Sequence, residues 1–164
     1  MADVANSKLF QAIEGIHLLK DVLVVLVKTE WNAVVADELE RGALEVFRKH
    51  GMATRTITVP GAVEIPFSIQ RTWAGDKAVS AFIALGCVVR GGTPHFEYVC
   101  QSVTQGITQL NLTMPVPVIF GVLTVNDDEQ ARERIGGIHG HKGEEAAITA
   151  IKMMIINQQL KQAQ

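Results

Sequence analysis

The sequence predicts a doubly wound α/β domain, a four-stranded parallel sheet with helices on both faces. Short aliphatic runs bounded by turn signals recur along the chain, as strands buried on both sides require. Longer segments with apolar residues at helical spacing lie between them. Strands that alternate with helices imply right-handed crossovers and hence a parallel sheet.

The first strand is the run 21–27, which is continuous and valine-rich. Asn32 follows as a candidate N-cap, and Val35, Leu39, Ala43, Val46 and Phe47 recur as one helical stripe until His50-Gly51 ends it. Residues 55–59 form a short second strand that stops at Pro60-Gly61. Residues 62–74 predict a helix with Val63, Phe67 and Ile69 on its apolar side, and Pro66 is tolerated near its first turn. A turn at Gly75-Asp76 leads to the third strand, 79–85, and then to a loop, 86–92, with three glycines. Thr93-Pro94 predicts an N-cap with proline at the first helical position. The helix after it shows Phe96, Val99, Val103, Ile107 and Leu110 in one stripe. Residues 117–123 are the fourth strand, and 127–135 a short charged helix. A glycine-rich joint, 136–143, precedes the last helix, 144 to about 160, with Ala147, Ile151, Met154 and Ile155 inward.

The 164 residues suit one domain, read as 21–164 behind an N-terminal segment, 1–20. Apolar residues make up 48% of the chain, enough for a substantial core. A net charge of −2 argues against a dedicated nucleic-acid binder, which would show a basic excess. The mean hydropathy of +0.20 is high, but the longest apolar run, 22–27, is far too short to span a membrane. The excess fits a buried parallel sheet, subunit interfaces, or both. Two cysteines, Cys87 and Cys100, are expected as reduced thiols. Residues 1–20 carry no basic region followed by an apolar one, so the expected location is cytoplasmic.

In such folds ligands bind outside the carboxyl ends of the strands. After the first strand, Trp31 is one of two tryptophans in a chain that is 5% aromatic. It either packs under the first helix or forms a wall on which a planar ligand stacks. After the second strand, Gly61 and Ala62 permit close backbone approach at a helix start. Glu64, in the first turn there, either complements the helix dipole or accepts hydrogen bonds from ligand hydroxyls. After the third strand, Gly91 and Gly92 allow backbone amides to face an anion beside a helix N-terminus. His95 stands in that first turn. A helix N-terminus disfavours positive charge beside it, and neutral imidazole is the form a general base needs. After the fourth strand, Arg134 and Lys142 are either surface charges or the cations such a phosphate site would use. His139 and His141 lie two apart, but no third ligand stands at useful spacing, so no metal site is expected. These residues suggest a domain for a planar, phosphorylated or two-part ligand, and they do not by themselves name a reaction.

Four motifs in this order resemble the 6,7-dimethyl-8-ribityllumazine synthase family. They are Trp31-Asn32, the segment Pro60-Gly61-Ala62-Val63-Glu64-Ile65-Pro66, the segment 86–100 around Arg90-Gly91-Gly92-Thr93-Pro94-His95, and 117–124 followed by Arg134 and His141-Lys142-Gly143-Glu144. The resemblance runs from about residue 19 to 155. It implies a flavodoxin-like fold and a transferase of riboflavin biosynthesis, joining 5-amino-6-ribitylamino-uracil to 3,4-dihydroxy-2-butanone 4-phosphate with release of phosphate and water. It implies no metal and no organic cofactor.

By position, the resemblance implies that Trp31, where many members have phenylalanine, stacks on the pyrimidine beside Asn32. Ala62, Val63 and Glu64 meet the ribityl chain, and Val88 and Val89 contact the ring through the backbone. Gly92 and Thr93 form the phosphate loop, and His95 moves protons. Phe120, Arg134 and Lys142 come from a neighbouring subunit, with Arg134 on the phosphate. A homopentamer is implied, with a sixty-subunit icosahedral shell as a further option favoured by the short 136–143 joint. The 1–20 segment is free to add a strand to a neighbour.

Two rivals share the scaffold. An archaeal-type riboflavin synthase has no phosphate substrate, which sits badly with the paired phosphate features. A non-catalytic lumazine- or flavin-binding shell protein would be marked by loss of His95 or Arg134, and both are present. A flavodoxin-type electron carrier would need a Ser/Thr/Gly phosphate loop where Lys28-Thr29-Glu30-Trp31-Asn32 stands.

Overall fold

The computed structural model describes residues 7–163. Four parallel strands form one sheet in the order β2-β1-β3-β4. They are β1 (Leu23–Thr29), β2 (Ala53–Val59), β3 (Val79–Val89) and β4 (Val118–Val125). The helices are α1 (Ala33–Lys49), α2 (Ile65–Gly75), α3 (His95–Thr113), α4 (Asp128–Arg132) and α5 (Lys142–Gln162). The predicted doubly wound, flavodoxin-like arrangement is observed.

The sheet divides the core in two. On one face Val24, Leu26, Ile83 and Leu85 meet Leu39, Ala43 and Phe47 of α1 and Ala147, Ile151 and Met154 of α5. On the other, Val25, Val27, Phe82 and Ala84 meet Ile65 and Ile69 of α2 and Val103 and Ile107 of α3. Period-2 alternation within an all-aliphatic strand thus feeds both layers. Helix α5 crosses α1 at Gly143, where an added Cβ would fall 2.0 Å from the Leu39 carbonyl oxygen. Only glycine permits that approach. The strand order reverses between β1 and β3, the position where such sheets open a crevice.

Several elements differ from the sequence expectation. The first two strands begin at Leu23 and Ala53. Gly86 to Val89, expected as loop, continue β3 and pair with Val122 to Val125. Gly86 is in the strand because Thr29 of β1 fills the space its side chain would take, with Cγ2 at 2.9 Å from the Cβ position. The helix expected at 62–74 divides into a 3-10 turn, Ala62–Glu64, and α2. Val63 and Phe67, expected inward, are exposed, whereas Ile69 is buried as expected and Ile65 shares its face. Asn32 is the N-cap residue of α1, but its side chain does not cap. Thr93 does not cap α3 either: Pro94 is the N-cap residue and the helix begins at His95.

Helix α4 is shorter than expected and is capped by Asp127, whose carboxylate accepts from the Gln130 N–H at 2.8 Å. The joint expected over 136–143 contains a small antiparallel hairpin, β5 (Ile135–Gly137) and β6 (Gly140–His141), and α5 begins at Lys142. Residues 7–22 form turns and one 3-10 turn, Ile16–Leu18, packed beside α5. The first six residues of the segment expected to add a strand to a neighbour lie outside the described residues. No helix among the described residues is long and apolar enough to cross a membrane.

Candidate active site

The carboxyl ends of β1, β2 and β3 open into a cleft of about 530 Å³. Its wall begins at Trp31. Beyond β1 the chain keeps strand-like pairing with its neighbour: the Glu30 N–H donates to the Val59 carbonyl at 2.8 Å, and the Trp31 N–H to the Pro60 carbonyl at 3.2 Å. This holds the indole beside Gly61, with Cδ1 3.4 Å from the Gly61 Cβ position. Trp31 is 74% exposed, so it is not a core residue of this chain.

Asn32 adopts a left-handed conformation with φ 56°. Asparagine is among the residues that tolerate this region best. Its Nδ2 spans the cleft floor and donates to the Cys87 carbonyl at 2.7 Å, linking the β1 loop to the end of β3. The side chain that does not cap α1 therefore fixes two walls of the cleft. Sequence reading missed this role because the partner lies 55 positions away.

Ala62, Val63 and Glu64 form the second wall on their 3-10 turn, and Cys87, Val88 and Val89 the third. Burial pushes the Cys87 thiol up to about 11, so it stays protonated at neutral pH and is no nucleophile. His95 closes the cleft from the first position of α3, where its imidazole is exposed.

Gly91, Gly92 and Thr93 lie at the rim, exposed, and do not line this cleft. An added Cβ at Gly91 or Gly92 would meet nothing within 4 Å, so the loop backbone is open to a ligand. Arg90 braces the loop. Its N–H donates to the Val125 carbonyl at 2.9 Å, and its guanidinium bonds Asn126 at 3.0 Å, pairs with Glu97 and lies over the Phe96 ring.

Three expected site residues stand apart. Phe120, exposed on the edge strand β4, and Lys142 line a second groove along β4 and the start of α5. Lys142 is paired there with Glu145 at 2.7 Å. Arg134 is 8% exposed, and its Nη1 donates to the Gln130 carbonyl at 2.7 Å. The single chain thus gathers Trp31, Asn32, Ala62, Val63, Glu64, Val88, Val89 and His95, and leaves Phe120, Arg134 and Lys142 outside. Among the described residues no group of three or more His, Cys, Asp and Glu side chains is placed to hold a metal ion.

Trp73 lies near the end of α2, beside Val22 and Val79 at the amino ends of the strands and so at the end of the sheet opposite the cleft, with the Lys77 ammonium 4.4 Å from its ring centre. If Trp31 is the stacking wall that the resemblance implies, titration with 6,7-dimethyl-8-ribityllumazine is expected to quench the fluorescence of the wild type strongly and that of Trp31→Phe weakly. Equal quenching would remove Trp31 from the ligand site.

A doubly wound α/β domain with a cleft across three strand ends and a histidine at its mouth defines the class as flavodoxin-like α/β. The family model for 6,7-dimethyl-8-ribityllumazine synthase matches residues 21–158. The 6,7-dimethyl-8-ribityllumazine synthase of Porphyromonas gingivalis is 48% identical over 143 residues, 85% of this chain and 88% of its own. That of Parabacteroides distasonis is 49% identical over 132 residues, covering 79% and 82%. That of Cytophaga hutchinsonii is 49% identical over 133 residues, with the same coverage. The chain belongs to the 6,7-dimethyl-8-ribityllumazine synthase family and is a transferase of riboflavin biosynthesis. The match does not favour the riboflavin synthase or the non-catalytic shell reading.

Proposed function

We propose that the cleft condenses 5-amino-6-ribitylamino-uracil with 3,4-dihydroxy-2-butanone 4-phosphate, and that each site is completed by a neighbouring subunit in a homopentamer. The observation that carries this is the division of the site residues. One chain brings Trp31, Ala62, Glu64 and His95 around one cleft, while Arg134 and Lys142, the cations that the resemblance assigns to the phosphate, do not line it. Exposed Phe67 and Tyr98 on α2 and α3, with Trp31 and Phe120, supply apolar surface of the kind that oligomer interfaces cover.

In this reading the pyrimidine stacks on Trp31, and the Val88 and Val89 backbone meets its edge. Glu64, with Ala62 and Val63 beside it, accepts from the ribityl hydroxyls. The amine of the pyrimidine attacks the ketone, and the carbinolamine loses water to an imine. His95 takes a proton from the carbon beside the imine, and the electron pair expels phosphate as the C–O bond breaks. The Gly92-Thr93 amides, with Arg134 and Lys142 of the neighbour, receive that negative charge. The enol left behind takes up a proton to become a carbonyl. The ribityl-bearing nitrogen closes on it, and a second water leaves. No metal or organic cofactor enters, and the substrates alone supply the carbon and nitrogen framework.

Mixing the purified protein with both substrates tests this directly. Lumazine absorbance and free phosphate should rise together in equal amounts; phosphate without lumazine would overturn the condensation. Inorganic phosphate should compete with the phosphorylated ketone. Arg134→Ala should weaken that competition by roughly 10- to 150-fold, the range that a lost charge-assisted contact of ~1.5–3 kcal/mol gives. Equal inhibition of both proteins would put the anion elsewhere. Cytoplasmic location and assembly of pentamers into a sixty-subunit shell fit the same reading, the latter through the short hairpin between α4 and α5. Native mass spectrometry separates pentamers from shells.

A further inference from the structure

His141 is buried, titratable and unused by the reaction above. It ends β6, pairs across the hairpin with Ile135, and directly precedes Lys142. Ile135 in turn follows Arg134, and the Lys142 N–H donates to the Arg134 carbonyl at 2.8 Å. The imidazole therefore hangs from the short hairpin whose two ends carry both cations.

Its seat is on α1. A Cβ added at Gly42 would fall 2.2 Å from the ring Cε1 and 2.5 Å from Nδ1, so the ring fills the notch this glycine leaves. Nε2 lies 3.4 Å from Glu38 Oε1, a carboxylate that Arg41 also holds. Nδ1 is buried and has no hydrogen-bond partner. A proton there would be a buried donor without an acceptor, which is costly, so the tautomer that fits carries its proton on Nε2, towards Glu38. The notch, the one-sided hydrogen bond and the strand register together specify one ring position.

We propose that His141 is a positioning residue for the phosphate end of the site. Wedged into the Gly42 notch and tied to Glu38, it fixes the hairpin on α1 so that Arg134 and Lys142 present their charges at a set place to the neighbouring cleft. This rests on the reading that Arg134 binds the phosphate.

The test is steady-state kinetics with each substrate varied, plus competition by inorganic phosphate, on folded and assembled variants. His141→Ala is expected to raise both the KM for the ketone phosphate and the Ki for phosphate by about 10-fold, since small misplacements of a binding group carry losses of this order. The KM for the amino-uracil should stay within about twofold, because Trp31 and Glu64 do not depend on the hairpin. His141→Gln, which presents an N–H where Nε2 stood, should restore most of the loss. Gly42→Ala should reproduce it, although alanine is the better helix former, because its methyl takes the ring's seat. A lower melting temperature with both constants unchanged in His141→Ala would overturn the proposal. If His141→Ala does not assemble, Glu38→Ala decides: a rise of about threefold in the phosphate Ki supports the clasp, and no change overturns it. Arg134→Ala separates the two layers. Should it leave phosphate competition unchanged, the phosphate reading falls and the clasp with it. Should it weaken competition while the His141 and Glu38 variants do not, the clasp alone fails.

Discussion

His95→Ala is expected to slow lumazine formation by about 10- to 100-fold at saturating substrates, at or below the lower limit of the ~10²–10⁴-fold that general acid–base catalysis contributes. In the proposed reading the product's affinity should change little, because stacking on Trp31 and hydrogen bonding to Glu64 do not need the imidazole, although all three line one cleft. The loss is bounded for a chemical reason. An aromatic amine attacks a ketone, and phosphate is a good leaving group, so water can carry protons that His95 would otherwise move. Most of the acceleration should come from holding two substrates in one cleft, and that survives the substitution. Lumazine absorbance against time gives the rate. An unchanged turnover number would remove His95 from the reaction and leave it as a rim residue of α3. A loss confined to the KM for the ketone phosphate would make it a binding group instead.

The sheet and its main helices were legible because the central strands β1 and β3 are built on runs of aliphatic residues and α1 shows its core stripe at 3.6 spacing. Val24 to Val27 and the Leu39-Ala43-Val46-Phe47 set carry both signals without ambiguity. What was not legible has specific causes. Gly86 reads as a loop residue, and only the neighbouring Thr29 methyl shows why a glycine belongs inside β3. Val63 and Phe67 read as core because periodicity registers apolar residues without saying which face is covered, and here they point outward. The β5–β6 hairpin is two and three residues long, below any pattern a sequence displays.

The site was legible in parts for the same reason. Strand ends locate Trp31, Glu64 and His95, since topology alone puts them at the carboxyl end of the sheet. Asn32 shows a cap in its sequence and a cross-strand tether in the structure, because its acceptor, the Cys87 carbonyl, is a backbone group that no motif encodes. Arg134 and Lys142 do not line the cleft of their own chain, and no local pattern states whether they belong to a neighbour's. That question leads to an experiment on mixtures of chains.

His95→Ala and Arg134→Ala, refolded together, are expected to recover activity well above either variant refolded alone. If a site takes His95 from one subunit and Arg134 from the next, neither variant builds an intact site by itself. Each mixed ring contains some interfaces where an Arg134→Ala subunit contributes its native His95 and a His95→Ala neighbour contributes its native Arg134. A head-to-tail ring joins the same two surfaces at every interface, so random equal mixing leaves roughly a quarter of the interfaces with both native residues. Those sites should turn over at the wild-type rate, and the mixture should approach about a quarter of wild-type activity, far above parents that each lose an order of magnitude or more. Dilution with wild type in place of one variant gives the calibration, because the fraction of intact interfaces then follows from the mixing ratio alone. Native mass spectrometry must first find rings that hold both variants. With mixed rings present, activity equal to the average of the two parents would place His95 and Arg134 in the same subunit's site and refute the shared-site reading. Within one chain the Arg134 guanidinium donates to the Gln130 carbonyl and does not line the cleft that His95 closes, so the shared-site reading needs a neighbouring copy to bring the two residues to one site.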